Sequence, residues 1–233
     1  ELACNYGNVV NKGLELSGNF MPVKTSDWMW TLDANISFNK NVIGGLNADQ
    51  FSDVVWGMES MFLRRNGQPI GIIYGYVEDG FYNNEAEVRA DPYYKTQSYS
   101  DSKIKSIVGQ IKYKNMDDDP MIDERDKTII GNTNPDFQYG LTSTLTYKNW
   151  TFSFLLQGTQ GNDILNTNLR SFDVAGSGNM PKFVWDNRWT PDNRDNALWP
   201  RADGTYTRSM KASDRYVVDG SYLRCKNLSL GYR

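Results

Sequence analysis

Histidine is absent from all 233 residues. The chain therefore carries no Ser-His-Asp or Cys-His nucleophile, no imidazole-ligated metal and no histidine pH switch. Its two cysteines, Cys4 and Cys225, are too few for a cysteine-rich zinc site or a dense disulfide framework. No apolar run approaches the roughly 18–20 residues of a membrane-crossing helix. There is no excess of positive charge either. The 25 Lys and Arg against 28 Asp and Glu leave a net charge of −3, so nothing pulls the chain generally towards nucleic acid or an anionic surface. No initiator methionine precedes Glu1, no signal-peptide pattern follows it, and Arg233 falls inside a strand-like pattern. The chain reads as a piece of a longer one.

What is abundant is aromatic and turn-forming. Aromatics make up 13% of the chain, with 14 Tyr and 7 Trp, alongside 20 Gly. That composition points to β structure with large polar loops. A β-barrel is compatible with only 39% hydrophobic residues, because an alternating strand is half apolar in any window.

The alternation is explicit. From Trp28 to Asn39, the apolar Trp28, Trp30, Leu32, Ala34, Ile36 and Phe38 are separated by Met29, Thr31, Asp33, Asn35, Ser37 and Asn39. A period of two is a strand's, not a helix's. Leu14, Leu16, Gly18 and Phe20 repeat it upstream. With Pro22–Asp27 as the link, a hairpin is expected over about 11–39. A second hairpin is expected over about 137–158, turning at Lys148-Asn149, and a last strand over about 221–233. Strands of about ten residues suit a tilted membrane-crossing strand, whereas globular strands average five or six. Phe20 and Trp28 flank one turn and Tyr147 and Trp150 the other, where an interfacial aromatic girdle belongs. A soluble β-sandwich also alternates, but strand length and turn-side aromatics favour the barrel. Glu15, Asp33, Asn35, Thr142, Thr144, Thr146 and Gln157 are then the polar lumen face.

Between the tight turns lie two long loops, about 40–136 and 159–220, rich in Asn, Asp, Gly and Pro. Short turns at one end and long loops at the other match an outer-membrane barrel. The first loop holds weaker strand patterns at Gly71–Val77 and Val108–Lys114, and one possible helical turn at Glu85–Ala90. It also holds Asn115–Asp126, NMDDDPMIDERD. On an EF-hand-like spacing, Asn115, Asp117 and Asp119 fall at positions 1, 3 and 5. Met121 (through its carbonyl), Asp123 and Asp126 take positions 7, 9 and 12, a set of oxygens suited to Ca²⁺. Pro120 stands where the sharp turn wants glycine, and a solvated acidic turn is the other reading. In the second loop, Trp185, Trp189, Trp199 and Tyr206 either face a sugar or a partner, or pack to hold the loop together.

These residues also carry a family likeness. Asn11-Lys12-Gly13 with Glu15-Leu16 resembles a strand opening of TonB-dependent receptors. Gly109–Gly131 (GQIKYKNMDDDPMIDERDKTIIG), Asn134-Pro135-Asp136-Phe137 with Tyr139-Gly140-Leu141, and Gln157-Gly158 with Gly161-Asn162-Asp163 and Asn166 resemble stretches of the SusC/RagA class. So do Trp189-Thr190-Pro191-Asp192-Asn193 with Pro200-Arg201, and Asp219-Gly220-Ser221-Tyr222-Leu223-Arg224 with Leu230-Gly231-Tyr232. The chain departs from the class pattern at Asn115, Pro120 and Cys225.

The resemblance implies an all-β, antiparallel transmembrane barrel, of which this chain is one partial domain of a plugged 22-stranded whole, the plug lying outside it. It implies a TonB-dependent importer of glycans or peptides in the Gram-negative outer membrane. Such an importer works with a SusD-like surface lipoprotein, contacts outer-membrane lipid and reaches the TonB complex through the plug. It implies no catalysis, no required cofactor beyond possible Ca²⁺ in the loop 115–126, and no nucleic acid. The competing reading from the residues is a soluble β-rich carbohydrate-binding module with a calcium-stabilised loop.

Overall fold

The computed structural model describes residues 7–52, 60–117, 119–172, 179–202 and 211–233. Two 17-residue strands, β1 (Asn8–Lys24) and β2 (Trp28–Gly44), open the chain. A first excursion follows with β3 (Gln50–Ser52), β4 (Phe62–Arg64), β5 (Ile72–Gly75) and β6 (Glu78–Phe81). It continues through α1 (Glu85–Ala90), α2 (Pro92–Lys95), α3 (Asp101–Ile107), β7 (Ile111–Tyr113) and β8 (Thr128–Asn132). The strands β9 (Phe137–Tyr147) and β10 (Trp150–Gln160) come next. A second excursion carries β11 (Asp163–Leu165), α4 (Asn168–Phe172), α5 (Lys182–Asp186) and β12 (Val217–Asp219), before β13 (Tyr222–Tyr232).

The five long strands form one antiparallel sheet in the order β1-β2-β9-β10-β13. Its register sorts the side chains as the alternation requires. On one face, Leu14 opposes Phe38, Leu16 opposes Ile36 and Phe20 opposes Leu32. The row continues as Trp30 opposite Leu145, Phe152 opposite Leu145 and Phe152 opposite Leu230. On the other face Asn19 opposes Asp33, Asp33 opposes Thr142, and Thr144 opposes Ser153. Asp33 and Asn35 thus lie away from Leu32, as expected of a wall with one apolar and one polar side. Ser143 is a polar residue within the apolar band. It is buried and accepts a 3.0 Å hydrogen bond from the Trp30 indole.

Two bulges keep this sorting intact where the sequence changes parity. One extra residue between Phe20 and Val23 lets Phe20 pair with Leu32 and Val23 with Trp30, both on the apolar face. Lys226 is the extra residue of β13, so that Leu228 and Cys225 both land on the apolar face, opposite Phe154 and Leu156. Cys225 is exposed there.

The apolar face is open. Leu228 and Leu230 are each 67% exposed, Phe20 57% and Leu14 55%. Water-soluble monomers rarely present so continuous an apolar surface. At the tight-turn end, Trp28 stacks on Tyr147 at 4.1 Å and Trp150 packs on Tyr232 at 4.8 Å. At the other end Phe38, Phe137 and Tyr139 cluster with centroids 5.8–5.9 Å apart. From Trp28 to Phe38 at ~3.4 Å per residue and a ~40–45° tilt, the apolar band stands roughly 25 Å tall, the height of a barrel's lipid-facing belt. Gly158, opposite Tyr139, lets that ring lie flat on the sheet; a Cβ there would sit 2.6 Å from it.

Several boundaries differ from expectation. β1 runs through Pro22 to Lys24, because the bulge absorbs the proline's missing donor, so Phe20 does not flank the turn. Both strands of the first hairpin extend past the expected 11–39. The excursions are folded rather than open. β3-β4-β5-β8 form a four-stranded sheet and β6-β7 a pair, so the weak patterns around Ile72–Gly75 and Ile111–Tyr113 do not join the wall. The helical turn at Glu85–Ala90 forms, with Asn84 capping it by accepting from the Glu87 amide. Three clusters hold the excursions: Met61, Ile73, Ala212 and Tyr216; Tyr82, Val88, Ile104 and Ile107; and Tyr76, Ile111 and Tyr113. The first joins both excursions into one cap.

Leu32→Arg should block assembly of the full-length protein, since Arg at the middle of the apolar band costs about 2–4 kcal/mol. Thr31→Arg on the polar face should assemble. Heat-modifiable migration on gels reads the difference, and equal assembly of both would contradict the assigned faces.

Candidate functional site

The cap is the chemically richest part of the chain, and its centre is an ion pair. Glu78, on β6 in the first excursion, meets Arg215 of the second in a two-pronged bond: Nε donates to Oε1 at 2.7 Å and Nη2 to Oε2 at 2.6 Å. Ser213 Oγ adds a 3.0 Å bond to Oε1, and the Glu78 amide donates to Asp214 Oδ1 at 3.0 Å. Both side chains are largely buried. Burial pushes the Glu78 carboxyl above the ordinary range, and the Arg215 guanidinium opposes that shift without cancelling it. Leu169, Leu198 and Trp199 line a small hollow of about 340 Å³ beside the pair.

Around this centre the excursions exchange backbone bonds. The Tyr76 amide donates to the Ala212 carbonyl at 2.8 Å, and the Asp214 amide to the Tyr76 carbonyl at 3.0 Å. Arg201 reaches from the second excursion to the last carbonyls of α3, bonding Lys105 O at 3.1 Å and Ser106 O at 2.9 Å, where a cation complements the helix end.

The four loop aromatics separate into three situations. Trp189 is 3% exposed; its indole donates to Asn83 Oδ1 at 2.8 Å and its ring lies on Gly109. Gly109 has φ +85°, and a Cβ there would fall 2.6 Å from the Trp189 ring. Trp199 is also buried, in a cluster with Phe172 and Phe183. Neither ring is open to a partner, so packing accounts for both. The loop does not fold on its own aromatics alone, because the first excursion buries Trp189. Trp185 is different: it is 52% exposed, and the Arg188 guanidinium lies 3.4 Å over its ring. Tyr206 lies outside the described residues.

In the acidic loop the structure brings Asp117, Asp119 and Asp123 together, but around a cation of the chain's own. The Arg125 guanidinium meets Asp123 at 2.8 Å, Asp119 at hydrogen-bond range and Asp117 at 3.6 Å. Asn115 and Asp117 each accept from the amide two residues on, and Asn115 Nδ2 donates to the Asp119 carbonyl. Met121 donates its amide to Asp119 Oδ1. Asp126 does not join the three. It is fully buried and ties the loop's ends, accepting from the Met116 amide at 2.8 Å and the Asp123 amide at 2.7 Å. Among the described residues no group of three or more acidic, cysteine or histidine side chains is arranged to hold a metal ion. The donor set as folded therefore fits a guanidinium rather than Ca²⁺. Arg125 lies within the same motif that the spacing assigns to a metal. Glu78 and Asn83 carry no local signal and Arg201 enters only through the family likeness, since each acts on a residue distant in sequence.

No protein-family model matches the chain. Among curated proteins, TonB-dependent receptor P26 of Formosa agariphila is 32% identical across 98% of this chain and 22% of the relative. TonB-dependent receptor SusC of Bacteroides thetaiotaomicron is 28% identical across 100% of this chain and 21% of the relative. The chain thus spans about a fifth of the length of these relatives. Among solved structures, the RagAB peptide transporter superposes with a TM-score of 0.69 at 20% identity, over 98% of this chain and 23% of that chain. A RagAB peptide importer in the "closed-closed" state gives a TM-score of 0.64. The likeness in fold is to part of a barrel with its excursions.

Two outcomes test the cap. Arg215→Met leaves Glu78 buried without its cation and should loosen the cap by about 3–5 kcal/mol at pH 7.5. A carboxyl whose folded pKa is raised contributes stability below its unfolded pKa and loses it as pH rises through the folded value. Lowering the pH towards 5 should therefore restore much of the protection in the variant, read by hydrogen exchange over residues 76–82 and 211–217. An unchanged deficit at both pH values would refute this. In the acidic loop, Arg125→Ala should make the loop's protease resistance depend on added Ca²⁺ while the parent stays indifferent to it. Calcium dependence in the parent would show that a metal displaces Arg125.

Proposed function

Because the chain belongs to the SusC/RagA class of TonB-dependent receptors, we propose that it forms part of the barrel of an energy-coupled importer in the Gram-negative outer membrane. The observation that carries this reading is the five-stranded sheet with an exposed apolar face, two aromatic belts and a polar reverse face. A soluble binding module would have to cover that face, and the cap packs elsewhere. The cargo is a glycan or peptide. The proposed work is passage rather than covalent chemistry, with the plug and TonB coupling supplied by other parts of the whole protein.

The cap, set on the end of the wall away from the tight turns, is the surface for a SusD-like lipoprotein. Trp185 with Arg188 offers an aromatic and guanidinium anchor of the kind that dominates interfaces. Loss of the full-length gene should abolish growth on a particular oligosaccharide or peptide source, and growth unimpaired on every such source would overturn import. Trp185→Ala with Arg188→Ala should lower lipoprotein retention at least ~10-fold in pull-downs from detergent, in line with the loss of a central anchor, while the barrel still assembles. Retention unchanged would move the docking surface off this patch.

A further inference from the structure

The apolar side of the first hairpin is interrupted by charge at one level. Lys12 and Lys40 are direct cross-strand partners there, and both are exposed. Val10 opposite Val42 lies on one side of them and Leu14 opposite Phe38 on the other. Directly opposed residues hold their Cβ atoms only ~4.5–5.5 Å apart, and like charges so placed destabilise the pairing. Among the described residues no ion pair relieves them. The nearest acid on the same strand, Glu15, pairs with Ser37 on the polar face.

The level of the pair is also informative. Lys40 follows the apolar run that ends at Phe38, and it stands just beyond the upper aromatic cluster of Phe38 and Phe137. That places both ammonium groups at the headgroup level of the leaflet on the cap side, with stems able to lie along apolar surface. Val10, Leu14, Phe38 and Val42 join the two lysines around an open groove of about 740 Å³. Two cations at headgroup height, with apolar walls beneath, complement a phosphate joined to acyl chains.

We propose that Lys12 and Lys40 clamp a phosphate of an anionic, phosphorylated glycolipid in the outer leaflet, with an acyl chain of that lipid lying against Leu14 and Phe38. The bound phosphate removes the repulsion between the lysines, and a compact ammonium is a suitable point charge for it. The clamp rests on the reading that this face meets lipid.

Native mass spectrometry of the full-length, detergent-purified protein tests it, with bisphosphorylated lipid A, its dephosphorylated form and inorganic phosphate as probes. The parent should retain bisphosphorylated lipid A, and Lys12→Gln with Lys40→Gln should weaken retention roughly 30-fold, each cation near an anionic surface contributing about fivefold. Lys12→Arg with Lys40→Arg should keep most of the binding, which separates lost charge from lost folding. Equal retention by the parent and the Gln variant, or of the two lipid A forms by the parent, would overturn the clamp. Inorganic phosphate binding as tightly as lipid A would show a free-anion site and overturn the lipid assignment. A parent that stays monodisperse without detergent and binds no lipid of either form would overturn the barrel reading itself, a result distinct from failure of the clamp.

Discussion

A strand with lipid on one side and a polar interior on the other must hold its two-residue alternation over its whole length. A slip of one residue would turn every apolar side chain inward and every polar one into hydrocarbon, where an unpaired polar group costs several kcal/mol. The wall of this protein is organised around that constraint. Its bulges fall where the sequence changes parity: Phe20 and Val23, and Cys225 and Leu228, differ by an odd number of residues yet share a face. Ser143, the polar intruder on the apolar side, is buried and satisfied by the Trp30 indole instead of being left to lipid. The same constraint makes Lys12 and Lys40 conspicuous, because at their level charge is accepted on a face that excludes it elsewhere.

The wall was readable because its determinants are local. Trp28 to Phe38 announces its face with no knowledge of the partner strand, and the pairing of Asp33 with Thr142 follows once the hairpins are placed. Parity shifts were harder to see. Pro22 looked like the start of a turn, because a proline inside a strand is ordinarily a breaker; the bulge that accommodates it depends on the register with Trp30 and Leu32.

The cap was far less readable, since its residues act across long separations. Glu78 and Arg215 are unremarkable in sequence and become a buried pair only when two excursions meet. Trp189 was recognised as an aromatic of interest, but that Gly109 and Asn83 bury it depends on a different loop. The acidic loop shows a third kind of difficulty. Its oxygens carry their own counter-charge, because Arg125 lies among them. A spacing that admits a divalent cation also admits a guanidinium, because both seek converging carboxylates and the choice turns on local geometry. Asp126, with both oxygens holding backbone amides, is committed to shaping the loop.

The order of the wall explains why the two excursions form one cap. The first leaves from the end of β2 and returns to β9; the second leaves from the end of β10 and returns to β13. Since β2, β9, β10 and β13 are consecutive in the sheet, the four roots lie side by side at the strand spacing of ~4.8 Å. Two chains emerging so close together meet at little extra entropic cost, because loop closure grows only slowly with length. Asn41 bonds Asn134 across the two roots of the first excursion, and the excursions first meet there: the Asn132 amide bonds Asp163, and Gly131 leaves room for Val217 and Asp163. From there the apolar cluster of Met61, Ile73, Ala212 and Tyr216 closes, and the Glu78–Arg215 pair is enclosed beside it. Burying that pair costs solvation that its Coulomb attraction barely repays, so the cluster supplies the stability and the pair selects which segments meet. The cap is in this sense a consequence of the wall: strand order sets the roots together, and charge complementarity fixes how the two excursions join.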